Sequence, residues 1–166
     1  ILVQRSVFDR FLELLEPAVA DWRVGDPHDE ATEMGPLISA AHRDTVTPFI
    51  KHSRVAFRGS APSGSGFWFA PAVVLPESPQ DRVAQHEIFG PIVAVLPFDD
   101  EADAIRLAND TIFGLAGSIW TENLGRAVRV ARGVKSGVLS VNSHSSVRYT
   151  TPFGGMKASG LGRELG

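Results

Sequence analysis

The sequence contains no cysteine. That absence excludes disulfides, thiolate metal ligands and nucleophilic thiol chemistry from within these residues. Long apolar runs are also missing. The longest mainly apolar stretch, Phe67 to Leu75, is interrupted by Pro71 and is far shorter than the roughly 20 residues a membrane helix needs. No basic-then-apolar leader opens the chain, so the expectation is a cytoplasmic protein with no membrane partner. Charge of one sign is not in excess: 16 basic and 19 acidic residues leave a net charge of −3. Without a concentrated basic face, no nucleic-acid partner is expected.

What is present is an ordinary globular composition, 43% hydrophobic and 21% charged over 166 residues, enough for one domain or a large piece of one. The chain opens on the apolar run Ile1-Leu2-Val3. A terminal strand needs neighbours to satisfy its backbone groups, so the sequence reads as a fragment; a processed but complete domain is the alternative. Short apolar runs alternate with amphipathic helical stretches, the pattern of an α/β domain.

The spacing predicts a strand at Ile1–Gln4 and a helix entered at a Ser6 cap. The apolar stripe of that helix is Val7, Phe8, Phe11, Leu12, Leu14, Leu15 and Val19. A second helix is expected from a Ser39 cap toward Lys51, with Val46, Phe49 and Ile50 inward and Pro48 as a kink or early stop. Strands are expected at Arg54–Arg58, at Phe67–Leu75 with an edge or bulge at Pro71, and at Ile92–Phe98 as one continuous run. A helix over 99–109, a strand at Gly114–Trp120, a helix at Glu122–Arg132 and a strand at Val138–Asn142 follow. Leu124, Val128 and Val130 are the expected buried positions of that last helix, with Gly133 closing it. Strands and helices in this order predict right-handed crossovers and a largely parallel sheet.

Two segments offer chemistry. In Glu87-Ile88-Phe89-Gly90-Pro91, a carboxylate and an aromatic ring two residues apart can point the same way from an extended chain. The carboxylate suits a pair of ribose hydroxyls and the ring suits a nicotinamide. The same residues also read as a solvated loop glutamate and a core phenylalanine. The second segment, Pro152 to Arg163, is dense in glycine and holds Lys157 and Arg163. It reads either as a backbone phosphate cradle or as a tight structural loop. It matches neither the P-loop nor the G-x-G-x-x-G fingerprint, since Gly160 and Gly162 lead to Leu165. His28, His42, His52, His86 and His144 show no metal-ligand spacing, so no metal site is expected. Ser143-His144-Ser145 lacks the G-x-S-x-G elbow of a hydrolase. Phe67-Trp68-Phe69 reads as core.

The motifs taken in order resemble the aldehyde dehydrogenase superfamily. They are Leu2-Val3-Gln4 before an amphipathic helix, Gly35-Pro36-Leu37-Ile38, Glu87 to Pro91, Ala108-Asn109-Asp110-Thr111 with Phe113-Gly114-Leu115-Ala116, Val141-Asn142, and Pro152-Phe153-Gly154-Gly155 with Lys157, Ser159-Gly160 and Gly162 to Gly166. The resemblance runs along nearly the whole chain. It implies an aldehyde-dehydrogenase-like catalytic domain: α/β, with a mostly parallel sheet and flanking helices, incomplete at both ends. Residues 1–166 would be the C-terminal portion of that domain, with the cofactor-binding domain absent.

In that family a cysteine thiolate attacks the aldehyde, hydride passes to NAD or NADP, and water hydrolyses the thioester. The resemblance implies that Glu87 binds the nicotinamide ribose and Phe89 flanks the nicotinamide. Phe153 would line the substrate tunnel, with Ser145 and Val147 beside it. The family's nucleophilic cysteine, general-base glutamate and oxyanion-hole asparagine would all precede Ile1, so no catalytic residue is expected in this chain. Many relatives have Gln and Lys where this chain has His42 and Thr45, which bears on the adenine-side ribose contacts. Arg148 near the tunnel mouth would favour acidic aldehydes, or is a solvated loop arginine. Full-length relatives are commonly homo-oligomers, dimers or tetramers. Reductases of acyl phosphates or acyl thioesters share the fold and are the rival enzyme class; a non-catalytic scaffold is the rival outside enzymes.

Overall fold

The computed structural model describes residues 1–144 and 147–166. The chain divides into two compact units, Ile1–Pro97 and Phe98–Gly166.

In the first unit, strand β1 (Leu2–Gln4) leads through a short 3-10 turn, Arg5–Val7, into helix α1 (Phe8–Ala20). The expected Ser6 cap is not made: Val7 is the N-cap and no side chain caps the helix, because the 3-10 turn Arg5–Val7 moves the start one residue on. Of the predicted stripe, Phe8, Phe11, Leu12, Leu15 and Val19 pack inward. Val7 and Leu14 are exposed, lying at the margin of the helical face.

Helix α2 (Ala40–Lys51) starts where Ser39 Oγ accepts the His42 amide at 3.0 Å, the expected cap. It is not shortened at Pro48. The hydroxyls of Thr45 and Thr47 bond the carbonyls of Ala41 and Arg43 (3.0 and 2.7 Å), and the helix runs on to Lys51.

Strand β2 (Val55–Arg58) pairs antiparallel with β3 (Ala72–Val74), which pairs parallel with β4 (Ile92–Ala94). Between β3 and β4 lies the short helix α3 (Arg82–Gln85). The long strand expected at Phe67–Leu75 is therefore only three residues, and the register shift falls on β2 between Val55 and Phe57, not at Pro71.

β3 organises the core. Val74 joins Val46, Phe49, Val83 and Ile92 in one apolar cluster, whereas Val73 joins Val3, Val19 and Val95 in another. Side chains alternate across a strand, so α2 covers one face of β3 and α1 the other. This is why Ala72, Val73 and Val74 are all buried and read as an uninterrupted apolar run.

The continuous strand predicted at Ile92–Phe98 is two strands. β4 stays with β3, while β5 (Leu96–Phe98) pairs with β1. The fully buried Val95 marks the change of partner, its amide bonded to the Val74 carbonyl at 3.0 Å.

In the second unit, α4 (Glu101–Asn109) is capped by Asp100 and α5 (Leu124–Gly133) by Asn123. Strands β6 (Ala116–Ile119) and β7 (Val138–Val141) flank α5 and pair in parallel, Ala116 opposite Val138 through Ile119 opposite Val141. The helices are clamped by Arg129, whose Nε and Nη2 donate to the two Glu101 oxygens at 2.7 and 2.8 Å.

The expected burial of α5 is corrected: Leu124 and Val128 are exposed and Val130 is half-buried, whereas Ala127 is buried. Gly133 does not act as a left-handed cap. Its value is space, because a Cβ there would stand 2.9 Å from Ile105 Cδ1. Among the described residues, no helix is long and apolar enough to cross a membrane.

Candidate functional site

The segment after α3 is built around Ile88, which packs into the Val46–Val74 cluster. On either side of it, Glu87 and Phe89 are exposed, the phenylalanine at 76%. The core alternative for Phe89 is thus excluded, and that for Glu87, a solvated carboxylate, agrees with its exposure. Among the described residues none hydrogen-bonds or pairs with the Glu87 carboxylate.

Phe89 has φ 55°, a left-handed conformation that costs a bulky side chain of order 1–3 kcal/mol. It breaks the extended alternation on which a shared direction for Glu87 and Phe89 rests. The next residue must be small, since a Cβ on Gly90 would stand 2.8 Å from both Val46 methyl carbons. Pro91 then returns the chain to the sheet, its carbonyl accepting the Ala72 amide at 2.9 Å.

One partner of this loop has no signal in the local sequence. His42, in the first turn of α2, donates from Nε2 to the Phe89 carbonyl at 2.6 Å. The two rings are 6.0 Å apart and tilted by 49°. The other ring nitrogen, His42 Nδ1, is buried without a hydrogen-bond partner. Locally, the sequence carries only the Ser39 cap, which starts the helix at Ala40 and accepts the His42 amide.

In the second unit, Val147 is exposed at 57% and Phe153 is half-buried. Ser145, the third residue expected at the substrate tunnel, lies outside the described residues. Arg148 is exposed at the start of a turn in which its carbonyl accepts the Thr151 amide at 3.2 Å. Phe153 is fixed by paired backbone bonds with Glu164, at 2.7 and 2.9 Å.

The glycine-rich tail is a structural loop, not a phosphate cradle. Several of its amides bond the unit's own backbone: Met156 bonds Gly114 O, Ala158 bonds Ile112 O and Ser159 bonds Met156 O. Both cations are taken as well. Lys157 Nζ donates to the carbonyls of Asn109 and Thr111 at 3.3 and 2.9 Å, and Arg163 Nη1 to those of Gly155 and Gly162 at 2.9 and 2.6 Å.

Other motif residues do similar work. Asn109 bonds both Gly133 O and Lys135 N, at 2.8 and 2.7 Å. Asn142, at φ 51°, brackets Thr121 through its amide and carbonyl, and Ser159 Oγ accepts the Gly114 amide. The sequence singles out these positions because the backbone needs them.

A cavity of about 360 Å³ opens elsewhere in the first unit, lined by Phe49, His52, Arg54, Glu77, Asp81 and Arg82 among others. Neither Glu87 nor Phe89 lines it. Among the described residues, no buried unpartnered polar atom faces it.

An α/β scaffold thus presents an exposed carboxylate, Glu87, and an exposed ring, Phe89, on one loop. Known proteins identify the class further. Residues 1–166 match the aldehyde dehydrogenase family, and the chain belongs to it. It is 40% identical over 175 residues to the betaine aldehyde dehydrogenase of Brucella melitensis, covering all of this chain and 36% of that protein. Against an aldehyde dehydrogenase of Emericella nidulans the identity is 37% over 171 residues, covering all of this chain and 34% of the relative.

Among solved structures, the betaine aldehyde dehydrogenase of Staphylococcus aureus in complex with NAD+ superposes with a TM-score of 0.93 at 38% identity. That match covers the whole of this chain and 35% of the other. The chain therefore has the α/β fold of the family and spans about a third of the length of the curated relatives it matches.

Proposed function

We propose that this chain is the C-terminal portion of the catalytic domain of an enzyme that oxidises an aldehyde to a carboxylic acid with NAD or NADP. The reaction runs through a cysteine thioester, and the thiolate comes from outside these residues, which contain no cysteine. The 166-residue chain by itself does not turn over aldehyde.

The reading rests first on the loop at Glu87–Pro91. A carboxylate with no partner among the described residues offers two acceptor oxygens to the two hydroxyls of a ribose. An exposed ring, held in a costly backbone conformation, is what a site that needs a flat apolar wall for a nicotinamide would keep. The residues present thus fit the nicotinamide end of the cofactor. When bound, the cofactor supplies the hydride acceptor; Glu87 and Phe89 orient it. Phe153 and Val147 offer apolar surface to the aldehyde, and the family resemblance adds Ser145 to that side. The whole protein is proposed as a homo-oligomer, in keeping with exposed apolar side chains such as Leu161 and Trp120.

The test is Glu87→Gln in the full-length enzyme, with NAD+ affinity and turnover measured on a panel headed by betaine aldehyde, after the names of the relatives. Replacing a charged acceptor by a neutral amide should raise the KM for NAD+ or lower kcat by about tenfold. Unchanged kinetics would remove Glu87 from the cofactor site. Turnover that requires phosphate or coenzyme A would move the protein to the reductases of acyl phosphates or thioesters.

A further inference from the structure

We propose that His42 is a positioning residue for the Phe89 ring. The proposal rests on the reading of Phe89 as the side chain that faces the nicotinamide. The left-handed backbone at Phe89 is unfavourable for a phenylalanine and persists only if neighbouring groups enforce it. Two do. Gly90, against Val46, fixes the chain on the C-terminal side. On the same side, the Phe89 carbonyl accepts the 2.6 Å bond from His42 Nε2.

That carbonyl belongs to the peptide unit between Phe89 and Gly90, so the bond pins the plane that sets ψ of Phe89 and with it the aim of the ring. The imidazole adds a tilted contact with the ring itself, 6.0 Å between centroids, within the range of favourable aromatic pairs. His42 is in turn placed by its position in α2, where its own amide bonds the Ser39 cap, while its Nδ1 is buried without a partner. A side chain that leaves one buried nitrogen unsatisfied gives up stability, and the bond to Phe89 is the one polar contact its ring makes among the described residues.

The distinguishing property is donation from a fixed reach. Gln places a donor nitrogen at nearly the same distance from Cβ as His Nε2, Glu at that reach has only acceptors when ionised, and Leu has neither. His42→Gln, His42→Glu and His42→Leu in the full-length enzyme, alone and combined with Phe89→Ala, therefore form the test. The readouts are NAD+ affinity by direct titration, kcat and KM for NAD+, and the thermal transition.

The expected result is that His42→Gln stays within about twofold of wild type, while His42→Glu and His42→Leu each weaken NAD+ binding by about fivefold to tenfold. In the Phe89→Ala background the same changes should cause no further loss, because no ring remains to be aimed. Should His42→Leu fail to fold, the isosteric Gln and Glu pair still decides the matter. Equal losses for Gln and Glu at unchanged stability, or losses additive with Phe89→Ala, overturn the proposal. If Phe89→Ala alone binds NAD+ like wild type, the cofactor reading falls and the proposal with it. If Phe89→Ala is impaired while His42→Leu is not, only the proposal falls.

Discussion

At Gly90 the backbone passes within van der Waals reach of Val46, a residue with no exposed surface at the centre of the α2 face. A branched side chain so enclosed cannot swing away, and two of its methyl carbons would meet an added Cβ at 2.8 Å. Gly90→Ala should therefore cost about 1–3 kcal/mol, as overpacking does, and lower the denaturation midpoint of the full-length protein. A midpoint equal to wild type would show that loop and helix can part without cost. The sequence placed Glu87 and Phe89 as candidates because their residue types are informative by themselves. It could not expose His42 as their neighbour, since that contact spans 47 positions and depends on how α2 lies on β3. The tail kept two readings open for a related reason: Lys157 and Arg163 look like anion ligands until their backbone acceptors are known.

Between elements, the α4–α5 clamp has a predictable pH response. The Arg129 guanidinium, bonding both oxygens of Glu101, holds that carboxyl below its usual range, with Arg126 adding to the effect. Between the folded value and the ordinary carboxylate value the unfolded chain binds more protons, so stability rises with pH across that window. The contribution is complete above the ordinary value and is lost as pH falls through the folded one. Glu101→Gln should lower the melting temperature at neutral pH, and the gap to wild type should close on acidification through that range. A gap independent of pH would assign the loss to packing instead of charge.

The longer helices were legible to within a residue or two, because caps such as Ser39 and a 3.6-residue stripe are local signals, whereas the four-residue α3 was not anticipated. Strands were less so. Ile92–Phe98 reads as one run, yet it divides at Val95 because its two halves serve different partners, and pairing is not written in the strand itself.

Across the whole molecule, apolar burial is uneven. Both apolar clusters, which cover the two faces of β3, belong to Ile1–Pro97. Among the described residues of Phe98–Gly166, Ala127 is the one apolar side chain that is buried, while Ile112, Trp120, Leu124 and Leu161 are exposed at 62%, 65%, 78% and 99%. Backbone and polar bonds such as those of Asn109 and Lys157 give this unit its geometry. Each contributes about 1 kcal/mol net, against an ordering cost of about 1–2 kcal/mol for every residue fixed. Apolar burial is the term that normally closes that gap, and here it is small.

Hydrogen exchange on the 166-residue chain should accordingly be slow at Ala72–Val74 and β4 and fast through β6, α5 and β7, because local opening follows local burial. In the full-length enzyme, where the proposed fold has further surface to cover Trp120 and Leu161, the same amides should slow by an order of magnitude or more. Equal protection of both units in the chain alone would mean that the polar network suffices, and that the second unit folds without the rest of the protein.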